Sequence, residues 1–186
     1  MDPGDVEGRL RSALAAQQLV RLWRPRLDSH HLQGYVAGLG RRWVLLTVLG
    51  PGYEPDGWTA VRRKDVIRVR KAPASELVRR SLELRAMWPP PRPAQPVDLD
   101  SRRRLLATAA MAYPLVTIAP EKRWRDVVYI GRPRRITRDG LHLQQVGPDG
   151  VWDTEPTVHP LRHITAVQFG GAYENVLLLV AGPAPS

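Results

Sequence analysis

Apolar residues recur every fourth position at Val6, Leu10 and Leu14, with acidic residues in the first turn, and this spacing predicts a helix over residues 5–18. From residue 19 the pattern becomes extended. Apolar-rich runs at 19–23, 32–39, 42–49, 58–61 and 66–69 predict five short strands, separated by Pro25, Gly40-Arg41, Gly50-Pro51-Gly52, Pro55-Asp56-Gly57 and the tight connection 62–65. Gly34 falls inside the second strand, where a glycine marks a sharp bend or a close backbone approach.

Helical spacing returns at residues 75–87, with Ser75 as expected N-cap and Leu77, Val78, Leu82 and Leu84 on the apolar side. Residues 88–96 hold five prolines, which excludes helix and central strand and predicts an extended connector. A third helix is expected over 98–112, capped by Asp100 or Ser101, with Leu105, Leu106 and Ala109 inward. Five more strands then follow at 115–118, 127–136, 141–146, 157–161 and 164–169, with the hairpin signal Asp139-Gly140, and a closing helix at 173–180.

The second series repeats the first. Gly131 stands 97 residues after Gly34, Gly147-Pro148 stands 97 after Gly50-Pro51, and His163 stands 98 after Asp65. We read two diverged copies of one unit, 1–88 and 98–182, joined by a connector at 89–97 and followed by a tail at 183–186. A helix followed by five short strands, the second bent at glycine and the last two joined by a tight turn, resembles the Sm-like and more broadly SH3-like small-barrel architecture. The segments DGWTAVRRKDVIRVR and EPTVHPLRHITAVQFG look like those of bacterial proteins with two such barrels in tandem. The fold this implies is mainly β with flanking helices (α+β), a tandem duplication of a helix plus a five-stranded barrel. The uridine-pocket residues of true Sm proteins are absent: the loop after the second strand reads Gly40-Arg41-Arg42 or Arg138-Asp139-Gly140, and the tight turns read Arg63-Lys64-Asp65 and Arg162-His163. Uridine binding and ring assembly are therefore not implied.

Composition adds three constraints. The 186 residues suit one medium domain or two small ones. The absence of cysteine excludes disulfides and thiolate metal sites and points to the cytoplasm, and no apolar run is long enough for a membrane span. The net charge of +10 is uneven: residues 1–71 carry 13 basic and 7 acidic side chains, 72–112 carry 7 and 4, and 113–186 carry 8 and 7. Such an excess suits a polyanion, although 25 of the 28 basic residues are Arg, a bias that coding composition alone can produce.

Candidate chemistry is sparse. The cluster Arg62, Arg63 and Lys64, with Arg68 and Arg70, is placed to meet phosphates or acidic side chains, and Arg132, Arg134, Arg135 and Arg138 form a second patch. Alternation along the strand would put Arg132 and Arg134 on one face. Tyr35, Trp43 and Trp124 are the aromatic residues placed to stack on bases, while Trp58 and Trp152 would seal the contact between barrels. His159 and His163 flank a tight turn, and no nucleophile triad, phosphate-cradling glycine loop, metal set or cofactor motif is apparent. The sequence thus points to a non-catalytic binding or adaptor protein with a protein partner, or alternatively to RNA or single-stranded nucleic acid held by Arg-rich surfaces.

Overall fold

Ten strands form one antiparallel sheet in the order β5-β1-β2-β3-β4-β10-β6-β7-β8-β9. The structure, a computed structural model, describes residues 3–185; residues 1, 2 and 186, which begin the first predicted unit and end the predicted tail, lie outside them. The first half holds α1 (Pro3–Ala15), β1 (Leu19–Trp23), β2 (His31–Leu39), β3 (Trp43–Leu49), β4 (Pro55–Arg62), β5 (Arg68–Lys71) and α2 (Ser75–Leu84). The second holds α3 (Arg102–Ala112), β6 (Val116–Ala119), β7 (Tyr129–Ile136), β8 (Gly140–Gln145), β9 (Thr157–Pro160), β10 (Ala166–Phe169) and α4 (Ala172–Ala181).

Two closed barrels are therefore not what this chain forms. Within each half the strands run in the same order, but neither run closes on itself: the outer edge of β4 pairs with β10, from Val61 opposite Ala166 to Trp58 opposite Phe169. The edges that separate barrels would leave in solvent are hydrogen-bonded to each other, and one open sheet results, ending in the short strands β5 and β9. Trp58 lies at this junction as expected, 6.0 Å from Phe169 and 5.4 Å from Tyr113. Trp152 does not; it packs with Leu177 and Leu178 and donates its indole N–H to the Ala181 carbonyl.

Local signals in the two halves coincide. Gly34 and Gly131 both lie where a Cβ would strike the facing strand, Gly34 at the Thr47 carbonyl oxygen and Gly131 at that of Gln144. Each tight connection is a single 3-10 turn, Arg63–Asp65 and Leu161–His163, closed by Val66 N–H to the Arg63 carbonyl and Ile164 N–H to that of Leu161. Ser101 caps α3, accepting from Arg104 N–H, but Ser75 does not cap α2, whose N-cap position is Ala74 with no side-chain bond.

The central strands are covered on both faces, and this decides which side chains are available. Trp43, Leu45, Ala60, Val116, Ile118, Val167 and Phe169 point to one side, under Leu105, Leu106 and Ala109 of α3. Val44, Leu46, Val61, Ala119 and Ala166 point to the other, under Val6, Leu10 and Ala13 of α1. Helix α2 covers Leu19 and Tyr35 through Val78 and Leu82, and α4 covers Leu115 and Val146 through Leu177. The proline segment is fixed to the sheet: the Pro91 carbonyl accepts from the Thr47 hydroxyl at 2.7 Å and from Trp58 Nε1 at 3.4 Å. Among the described residues no helix is long and apolar enough to cross a membrane.

Candidate binding surfaces

The turn between β2 and β3, the 3-10 turn after β4 and the first turn of α3 converge on a cavity of about 290 Å³ lined by Arg41, Arg42, Trp43, Arg62, Lys64 and Arg102. The three residues of the predicted Arg62-Arg63-Lys64 cluster have separate fates. Arg62, the last residue of β4, is only 4% exposed; its Nε donates to Asp65 at 2.5 Å and its Nη2 is in ion-pair contact with the same carboxylate. Arg63 turns toward α1, donating to the Gly40 carbonyl at 2.7 Å and pairing with Glu7 at 2.6 Å, which holds the Glu7 carboxyl below its ordinary range. Lys64 alone is exposed.

Arg102 completes the cavity from α3. Its guanidinium carbon lies 5.9 Å from the centre of the Trp43 ring, and its Nε is buried with no hydrogen-bond partner among the described residues. Desolvation, with the charges of Arg62 and Arg42 next, lowers its pKa; only Asp65 opposes. Arg41 is engaged by Asp100, which accepts its backbone N–H at 2.6 Å and lies 3.3 Å from its Nε, and the same bond lowers the Asp100 pKa.

The remaining predicted residues lie elsewhere. Arg68, on the edge strand β5, sits 5.8 Å from the Trp23 ring centre. Arg132, Arg134 and Arg135 are all exposed on β7, where a bulge leaves Arg134 as the extra residue between Pro133 opposite Leu143 and Arg135 opposite His142, so simple alternation does not hold. Tyr35 and Trp43 are buried and present no face for stacking on bases. Tyr35 packs edge-on against Trp88, and burial pushes its phenol up to about 12. His159 is buried against Tyr129, and burial lowers its pKa.

Sequence reasoning missed Arg42 and Arg102. The available signal was the run Arg102-Arg103-Arg104 in the first turn of α3, which has no acidic residue. Cations at the positive end of a helix dipole break a local rule, and such breaks concentrate where something else compensates.

A second surface has the opposite chemistry. Tyr173, Val176, Leu179 and Val180 of α4 are exposed, Leu179 by 82%, and the Val180 side chain lies beside Gly150, next to exposed Val151. Residues 172–185 contain no Lys or Arg, and their single acid, Glu174, is buried and accepts from the Thr117 hydroxyl at 2.7 Å.

Comparison of the chain with protein-family models, curated proteins and solved structures gives no match in any of the three.

Proposed function

We propose that the protein is a non-catalytic binding module that presents α4 as a ridge to a protein partner carrying an apolar groove. The observation that carries this reading is the uncovered apolar face of α4. Tyr173, Val176 and Val180 fall at helical spacing i, i+3 and i+7, the pattern by which one helix face enters a groove, and Leu179 flanks them. Leaving Leu179 four-fifths exposed in water is unfavourable unless something covers it.

Charge and area support a protein groove. With no cation on the helix, anionic lipid headgroups and nucleic-acid phosphates have nothing to attract them to this face. Two copies meeting along a ten-residue helix, about 15 Å long, would bury far less than the roughly 800 Å² per partner of a stable interface. A groove surrounds the ridge on three sides and covers more of it. The compartment we infer is the cytoplasm, from the absence of cysteine.

A photo-reactive residue placed at Leu179 tests this. In native cells it is expected to give one discrete heterologous adduct, which Val176→Asp abolishes while the far-UV spectrum and Tm stay unchanged; the same residue at Arg134 gives no such adduct. An adduct with a second copy of the chain, or one that persists with Val176→Asp, would overturn the reading.

A further inference from the structure

We infer that the cavity between β2, the 3-10 turn and α3 is an oxyanion site that takes a phosphate group, with Arg42, Lys64 and Arg102 as its free cations. This does not rest on the reading of α4, none of whose residues lines the cavity.

Five cations line the cavity and two carboxylates approach it: Asp65 is taken up by Arg62, and Asp100 by Arg41. Three positive charges remain, and among the described residues Arg42, Lys64 and Arg102 have no ion-pair partner. Like charges gathered around one opening repel, so the arrangement is unfavourable while the cavity holds only water. The most confined donors sharpen the point. Among the described residues Arg102 Nε is fully buried without an acceptor, whereas Arg62, itself nine-tenths buried, is already in contact with the Asp65 carboxylate. A buried donor without an acceptor is costly, and an anion entering the cavity would supply one.

The scaffold favours the same ligand. Arg102 is the first residue of α3, so the cavity it lines lies toward the positive end of that helix's dipole. Trp43 holds the Arg102 guanidinium over its ring, which limits the conformations the side chain must give up on binding. A planar guanidinium matches the paired oxygens of phosphate, and the exposed Lys64 supplies a movable point charge at the rim. A cavity of about 290 Å³ admits a phosphate or diphosphate but not a folded surface.

Phosphate can come from a small phosphate ester or from a nucleic-acid backbone, and two probes separate them. The full chain is titrated calorimetrically with inorganic pyrophosphate and with a short oligothymidylate, each at two salt concentrations. Pyrophosphate is expected to bind, and Arg102→Gln and Lys64→Gln each to weaken it about tenfold or more. The double variant Arg134→Gln with Arg135→Gln, on β7, should leave binding unchanged. Lys64 is exposed and structurally unengaged, so K64Q keeps the test meaningful where R102Q unfolds. Tighter binding of the oligothymidylate, with a steep salt dependence, assigns the site to nucleic-acid phosphate; tighter binding of pyrophosphate assigns it to a small phosphate ester. Binding of neither probe, or undiminished binding by folded K64Q, overturns the proposal.

Discussion

Arg24 and Glu121, 97 residues apart, meet in a buried bidentate pair: Nη1 donates to Oε2 and Nη2 to Oε1, both at 2.8 Å. Arg24 follows β1 and Glu121 follows β6, and the two positions correspond under the internal repeat. In the sheet order β1 and β6 stand five strands apart, which in a flat sheet would be roughly 24 Å at about 4.8 Å per strand. The pair can therefore form only because the sheet coils. Ala119 and Ala166 of the second half accordingly share a core with Val20, Leu22 and Val69 of the first. Thr165 donates its hydroxyl proton to Glu121 Oε2 at 2.6 Å and accepts the Glu121 backbone N–H at 3.2 Å.

Removing either partner leaves a buried charge without its counterpart. Arg24→Met or Glu121→Gln should lower unfolding free energy by about 3–5 kcal/mol, whereas Arg24→Met with Glu121→Leu should recover most of the loss. Urea denaturation of the three variants checks this. A double variant no more stable than the singles would show that the pair does more than satisfy itself.

The glycines divide into those the backbone demands and those it does not. Gly34→Ala and Gly131→Ala force a methyl group onto the carbonyl oxygen of the neighbouring strand, and each should cost at least about 1–3 kcal/mol. Gly8→Ala, in α1 with nothing but its own helix backbone near the added carbon among the described residues, should instead stabilise by about 0.5–1 kcal/mol. Thermal unfolding of the three single variants orders them, and a neutral Gly131→Ala would refute the close approach.

These glycines also mark how far the sequence could be read. The apolar pattern located all ten strands, although it read Pro55-Asp56-Gly57 as a turn where β4 already runs, and the internal repeat matched both close approaches and both tight connections, because each depends on residues near in sequence. The pairing of β4 with β10 depends on which edges remain free after local strands have formed, and nothing local in Trp58 or Phe169 encodes it. Burial failed for a related reason. Trp43 shares parity with Leu45, and Arg62 with Trp58 and Ala60, so both point toward α3; that this face was covered followed only from where α3 packs. The cavity was invisible because Arg42, Lys64 and Arg102 come from three elements that only the tertiary fold brings together.

Acid should weaken the fold in two separate windows. His31, His159 and His163 all have pKa values lowered from 6.5, so the unfolded chain binds protons more readily than the folded one as pH falls below about 6.5. Stability is then full above that value and declines as pH drops toward the folded-state values. Of the three only His159 is buried, and among the described residues its Nε2 has no partner, so His159→Phe should flatten the decline most. The carboxylates of Glu7 and Asp100, lowered from 4.5 and 3.8, contribute stability above those values that disappears as pH falls through their folded-state values. Urea midpoints from pH 8 to pH 3 for wild type and His159→Phe separate the windows; an unchanged slope between about 6.5 and 5 in the variant would remove His159 from the account.

The last relationship ties the exposed helix to the sheet junction. Asp56, in β4, accepts the Ala172 backbone N–H at 2.6 Å and so caps α4 across 116 residues of chain. Gly57, at φ 72°, keeps the strand close enough for this, since a Cβ there would strike the Gly171 nitrogen. The carboxylate also stands at the positive end of the helix dipole, so cap and charge act together. Asp56→Ala should cost about 1 kcal/mol or somewhat more, and the loss should be local. Amide exchange in residues 173–181 is expected to accelerate while that of β1 to β3 is unaffected, because α4 is anchored to the sheet through Leu177, Glu174 and this cap. The consequence for binding has a definite sign: a partner that needs α4 preformed should bind Asp56→Ala more weakly although Tyr173, Val176, Leu179 and Val180 are intact. Unchanged exchange across α4 would mean that Leu177 and Glu174 alone hold the helix.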